Sequence, residues 1–165
     1  MKKLNSRIES LRRLVETQKL EGYLVTKEVN LVYFTNYLSE EAKLLIPCDS
    51  ESILYVDGRF YEEAKEKVKG CRVELAKKKT ILDEMVQSQI KDLKLKHIGF
   101  DFLDVPTYLN FAKALSNAEF TPKNELVMQL RKVKDKQEIE CIRKAAEVTS
   151  EGMKAAIETV RPGLR

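Results

Sequence analysis

Two aspartates end runs of apolar and β-branched residues, ILYVD at 53–57 and HIGFD at 97–101. Such runs read as strands, and open α/β sheets collect ligands where their strands end. The carboxylates of Asp57 and Asp101, brought side by side there, would hold Mg²⁺ for two-metal nuclease chemistry. Each also has a plainer use. Asp57 opens an Asp-Gly turn and caps the helix after it, while Asp101 hydrogen-bonds backbone in a strand-to-loop turn. No basic-aromatic surface accompanies the pair, so the plainer use is expected, and no nucleic-acid partner with it. Other chemistry is scarce. His97 is the single histidine, with no HxxxH or HExxH around it to build a zinc site. No G-x-S-x-G elbow occurs, and one imidazole would have to serve every serine or cysteine nucleophile. The glycines, at 22, 58, 70, 99, 152 and 163, are too scattered for a GxGxxG fingerprint or a P-loop. Lys77, Lys78 and Lys79 suit a solvated link.

With 165 residues the chain has room for one ordinary domain and an appendage. Its 43% hydrophobic and 34% charged residues describe a globular protein. A net charge of +4 is too small to argue for nucleic acid by itself. No apolar run approaches the roughly 20 residues that span a bilayer, and MKKLNSRIES lacks the apolar core of a signal peptide. A cytoplasmic protein without a membrane partner is expected. Cys48, Cys71 and Cys141 are odd in number and form no CxxC, which suits reduced thiols.

The elements that must position these residues can be read in order. Ser6 with Glu9 forms a candidate capping box for a first helix whose face is Leu4, Ile8, Leu11, Leu14 and Val15. Tyr23 to Thr26 reads as a strand buried on both faces. Val29 to Tyr37 is strand-like by composition. Two further runs, 42–47 and 52–57, flank a polar loop of hairpin length. Phe60, Tyr61, Ala64 and Val68 then share one helix face that ends at Gly70. A strand over 71–75 follows. Next comes a helix capped by Thr80 and Asp83, with face Leu82, Met85, Val86, Gln89, Ile90 and Leu93. After the strand at 97–102, Asp104 and Pro106 open a helix carrying Tyr108, Leu109, Ala112 and Leu115. A short strand at 118–121 and a helical turn or two from Asn124 to Val133 complete this part. The alternation predicts an α/β fold, a mixed and partly parallel sheet with helices on its faces.

Asp135 and Glu138 mark the start of a last, capped helix. Ile139, Ile142, Ala146, Thr149, Met153, Ala156 and Val160 lie on one stripe of it. Before Pro162 and Gly163 stop it, it runs for about 26 residues. A helix so long outreaches a small domain, so its far half awaits a cover: its own domain, a second chain, or a missing domain.

The run LVMQLRKVKDKQEIECIRKAAEVTSEGMKAAIETVRPGL resembles the junction of the creatinase/prolidase/Xaa-Pro aminopeptidase family, the M24 metallopeptidases. Arg131, Lys134, Asp135, Glu138, Ile139, Ile142, Ala145 and Ala146 match one part of that junction, and Arg161, Pro162 and Gly163 another. NLVYFTNY at 30–37, LYVDGRFYEEAK at 54–65 and IGFDFLDVPTY at 98–108 resemble the family's N-terminal domain. The resemblance implies a ribonuclease H-like mixed sheet of about five or six strands with helices on both faces, plus a long C-terminal helix. It turns 29–37 into a helix. It divides the chain into an N-terminal domain at 1–123, a linker at 124–134, and at 135–165 the first helix of a "pita-bread" catalytic domain cut short. Family peptidases cleave before proline with two divalent metal ions (Mn, Co or Zn), whose ligands lie beyond Arg165. No catalytic residue, metal ligand or cofactor is then expected in this chain. Its implied roles are to dimerise with a partner subunit and to wall that subunit's site for X-Pro peptides, through Asn36, Tyr37, Leu38, Ser39, Glu40 and Glu41. Glycine is usual in the family where Asn36 stands here. Glu40 and Glu41 either meet a substrate amine or are simply exposed charges. A second reading is a protein-binding module on the same scaffold, as in a histone-chaperone subunit without peptidase chemistry.

Overall fold

The computed structural model describes residues 2–39, 41–76, 79–161 and 163. In chain order the elements are α1 (Lys2–Thr17), β1 (Gly22–Val25), α2 (Glu28–Thr35), β2 (Ala42–Pro47), β3 (Ile53–Asp57), α3 (Tyr61–Lys67) and β4 (Arg72–Ala76). They continue with α4 (Lys79–Asp92), β5 (His97–Phe100), α5 (Val105–Ala114), β6 (Glu119–Pro122), α6 (Asn124–Lys132) and α7 (Lys136–Thr159). One six-stranded sheet holds the strands in the order β4-β3-β2-β1-β5-β6. The β2–β3 hairpin is antiparallel, as is β1 with β2, whereas β3 with β4, β1 with β5 and β5 with β6 are parallel.

Period-two alternation splits the core between the two faces of the sheet. Tyr23, Val25, Leu44, Ile46, Leu54 and Val56 pack on one face with residues of α1, α2, α3 and α6. Leu24, Leu45, Ile53 and Tyr55 pack on the other with residues of α4 and α5. Long-range polar contacts brace the first face. Arg12 on α1 donates to the carbonyls of Pro47 (3.0 Å) and Ser50 (2.7 Å) and to the Ser52 hydroxyl (3.0 Å), holding α1 to the β2–β3 hairpin. The Tyr23 hydroxyl donates to the Lys123 carbonyl at 2.9 Å. Arg7 stacks 4.2 Å from the Tyr33 ring centroid and donates to its carbonyl. On the second face Lys43 pairs with Asp83 and lies 5.3 Å from the Phe111 ring centroid.

α1 and α4 end alike. Lys19 and Lys94 take left-handed φ of 57° and 54°. The following leucines, Leu20 and Leu95, donate back to Val15 and Ile90 at 3.1 Å. This is the Schellman stop, with the leucine at C″ turned toward the core.

Several helix starts differ from the sequence reading. α1 begins at Lys2, so Ser6 lies inside it, and its carbonyl accepts from the Ser10 hydroxyl. α4 begins at Lys79, so Thr80 is not its cap, and Asp83 serves Lys43 instead. On α5 the buried side chain is Phe111, which the anticipated face omitted, and Leu109 is 59% exposed, whereas Leu115, just past the helix, is buried as anticipated. Asp104 does cap α5, accepting from the Thr107 amide at 2.8 Å, with Pro106 in the first turn. Lys77, Lys78 and Pro162 lie outside the described residues.

Leu130 ends one compact unit and Arg131 begins the second. α6 contributes Leu126 and Val127 to the core of the first unit. In the second, Asp135 accepts from the Glu138 amide at 2.9 Å and the Glu138 side chain accepts from the Asp135 amide at 3.0 Å, which is the anticipated capping box. None of the residues of α7 is buried.

Gly99 stands where Tyr23 crosses β5. A Cβ there would lie 2.8 Å from the Tyr23 ring and 2.9 Å from Leu20 Cδ1. Gly99→Ala is therefore expected to lower stability by about 1–3 kcal/mol through overpacking, read as a lower urea midpoint at unchanged slope.

Candidate functional site

The strand registers bring several connections to one end of the sheet. β1, β3, β5 and β6 finish there, and antiparallel β2 begins there. From β1 the chain turns to α2 on the first face, and from β5 it turns to α5 on the second. Neighbouring parallel strands whose connections part in this way leave a crevice, the usual ligand position of an open α/β sheet.

Here the crevice is filled by the chain's own carboxylate. Asp101 is 5% exposed. Its Oδ1 accepts from the Thr26 amide (2.9 Å), the Thr26 hydroxyl (3.2 Å) and the Phe102 amide (2.7 Å). Its Oδ2 accepts from the Lys27 amide (3.2 Å) and from Asn30 Nδ2 (2.8 Å). The charge also sits at the N-terminal end of α2, where the helix dipole favours an anion. Asp101 thus does accept backbone donors in a turn, and it takes side-chain donors from a distant element as well.

Asp57 serves a different turn. Its Oδ1 accepts from the Arg59 amide (3.0 Å) and Arg59 Nε (2.8 Å). It does not cap α3, whose N-cap is Phe60 with no side-chain cap bond. β2 and β1 separate β3 from β5, so the two aspartates are three strand spacings apart, about 14 Å. They form no joint metal site. Among the described residues no group of three or more His, Cys, Asp or Glu is placed to hold a metal ion. The residues present do not fit a dinuclear centre, and no metal-dependent step is assigned to them.

The loop after α2 borders the same end. Asn36 takes a left-handed conformation (φ 54°, ψ 28°) as the C-cap, and its amide donates to Val32. A short polar side chain is one of the few besides glycine that enters this region readily. The Thr35 hydroxyl donates to the Leu31 carbonyl at 2.7 Å and accepts from the Tyr37 amide at 3.2 Å. The buried Tyr37 reaches across to α3, donating within 3.2 Å of the Phe60 carbonyl and 3.1 Å of Glu63 Oε2. Leu38 is 62% exposed, while Ser39 is buried with no hydrogen-bond partner for its hydroxyl among the described residues. Glu40 lies outside the described residues. Glu41 lies 3.4 Å from Arg59, which links the loop to the Asp57 turn. Glu41 is therefore engaged by a cation of its own domain rather than standing as a lone loop charge. Local sequence reading did not anticipate Arg59, Thr26 or Asn30. The only signal for them was the composition of the turns themselves.

This is an α/β domain built around a mixed six-stranded sheet, with its crevice closed from within. Residues 7–133 match the model of the creatinase/prolidase N-terminal domain, and the chain belongs to that family. It is 27% identical over 162 residues to an Xaa-Pro dipeptidase of Pyrococcus furiosus, covering 98% of this chain and 45% of that protein. It is 26% identical over 160 residues to an uncharacterized peptidase of Bacillus subtilis, covering 96% of this chain and 44% of that protein. The solved Xaa-Pro dipeptidase from Bacillus anthracis superposes with a TM-score of 0.88 at 26% identity, over 98% of this chain and 45% of that one. The chain thus spans less than half the length of these relatives.

Two outcomes are expected from this geometry. Asp101→Ala leaves the donors of Thr26, Lys27 and Asn30 without their acceptor and lowers stability by about 3 kcal/mol, measured by urea denaturation. The second concerns alkali. Burial, with Glu63 beside it, pushes the Tyr37 hydroxyl from 10.0 up to about 12, and burial does the same to Tyr55. The stabilisation is fully present below pH 10 and is lost as pH rises through 12. In Tyr37→Phe, about 1 kcal/mol is lost at neutral pH, and less further stability is lost between pH 10 and 12 than in the parent, followed by denaturation and by tyrosinate absorbance.

Proposed function

We propose that this chain is the non-catalytic N-terminal part of a proline-specific metallopeptidase, an Xaa-Pro dipeptidase or Xaa-Pro aminopeptidase acting in the cytoplasm. The observation that carries this reading is the family match over residues 7–133 to a domain whose strand-end crevice is occupied by Asp101. In this reading the parent's hydrolytic machinery, with two divalent ions such as Mn, Co or Zn, belongs to the remaining length seen in the relatives. The domain works by shape. It dimerises with a partner subunit, and the loop of Asn36, Tyr37, Leu38, Ser39, Glu40 and Glu41 walls that subunit's site for X-Pro peptides. Residues 135–165 belong to the start of the catalytic half, with α7 as its first helix, and are reached through 124–134, where α6 packs Leu126 and Val127 on the sheet domain.

Two features support a docking role for this end of the sheet. Tyr37 and Arg59 hold the loop in place from α3 and its preceding turn. Val29, Phe102, Val105 and Leu109 are 56%, 51%, 70% and 59% exposed, more apolar surface than a solvated rim needs. The loop's contribution is to orient substrate and exclude water, which lowers a reaction barrier only when positions are held closely.

The test uses the full-length parent with Mn²⁺ or Co²⁺ on Xaa-Pro dipeptides and longer Xaa-Pro peptides. Cleavage of one class is expected, and replacing residues 36–41 by a Gly-Ser segment is expected to raise KM about tenfold or more with metal content unchanged. No cleavage under either metal would instead assign the scaffold to a protein-binding role.

A further inference from the structure

A second concavity lies at the opposite end of the sheet, where β5 and β6 begin. The end of α4 and the segment after it supply Ile90, Lys91, Lys94, Leu95 and Lys96, and the end of α5 and its following turn supply Ala114 to Ala118. The groove has a volume of about 510 Å³, within the range of small-molecule sites. Its floor is apolar: Ile90 and Leu115 are buried in the second-face core, and Leu95, Ala114 and Ala118 pack against it. Its charged groups are all of one sign. Three lysines line it and no carboxylate does.

Among the described residues Lys91, Lys94 and Lys96 make no ion pair, and all three side chains are exposed. The nearby Glu21 carboxylate is taken up by the backbone amides of Lys96 and His97, although its charge also feels Lys96. Lysines beside a helix C-terminus complement its dipole. That accounts for Lys91 in the last turn of α4, but it does not account for an apolar floor left open beneath them.

We infer that this groove binds a small anionic amphiphile: a free alkyl or aryl carboxylate whose apolar body lies on the half-buried Leu95, Ala114 and Ala118 and whose charge meets Lys91, Lys94 and Lys96. Charge complementarity selects the occupant. A zwitterionic dipeptide brings an ammonium beside three lysines and is disfavoured, so this ligand class differs from the substrate proposed for the parent enzyme. The site does not depend on that proposal.

The test is a titration of the ¹⁵N-labelled 165-residue chain with octanoate, followed through the amide signals. Saturable shifts are expected at 90–96 and 114–118, with at least a tenfold weaker response in the variant Lys91→Gln/Lys94→Gln/Lys96→Gln and none with octylammonium or Leu-Pro. The substituted positions are exposed, and an unchanged thermal midpoint of the variant confirms that it is folded. Shifts on α7 alone, an equal response to octylammonium, or undiminished binding in the variant would each overturn the inference.

Discussion

The architecture turns on a buried negative charge that needs donors. A carboxylate at 5% exposure is tolerable only when nearly every lone pair is engaged. Asp101 meets that condition by drawing in the amides of Thr26, Lys27 and Phe102, the Thr26 hydroxyl and the Asn30 amide. These donors come from two connections that leave the sheet in opposite directions. One side chain therefore fixes the β1–α2 turn against the β5–α5 turn and sets where α2 starts. Asn30 is itself fully buried, so neither partner has a solvent alternative.

That constraint separates scaffolding from chemistry. In many open sheets the crevice between diverging connections is left for a phosphate or a nucleotide. Here an internal anion holds the equivalent position, and the neighbouring surface is apolar and exposed rather than lined with convergent polar groups. Asp57, the other strand-end carboxylate, is likewise consumed by a turn. What this end offers is a fixed outline, with Leu38 projecting from the loop and Arg59 bridging Glu41 and Asp57.

Much of this arrangement was legible in the chain. The strands and their hairpin follow from apolar runs with polar breaks, and the start of α7 follows from a capping box whose two halves are three residues apart. α2 shows where local reading runs out. Its residues EVNLVYFT favour strand by composition, yet they form a helix because Leu31 and Phe34 are needed in the first-face core and Asn30 is needed by Asp101. Only the resemblance to known domains pointed that way. Ser6 and Thr80 mimic capping residues inside helices, since a Ser/Thr placed three residues before an acid is common in charged helices as well. The pairings of Asp101 with Asn30 and of Lys43 with Asp83 join residues far apart in the chain, and no window of neighbouring residues contains them.

The strand order carries a consequence for synthesis on the ribosome. β1 finds its antiparallel neighbour β2 soon after emerging, and β3 and β4 extend that side. Its other flank stays bare until β5 has been made, leaving an apolar Gly22–Val25 edge with unsatisfied backbone groups in the nascent polypeptide. Such an edge is a template for unwanted pairing. A translation product arrested before His97 is therefore a candidate for chaperone capture, whereas one that has passed Pro122 carries a partner for each flank of β1.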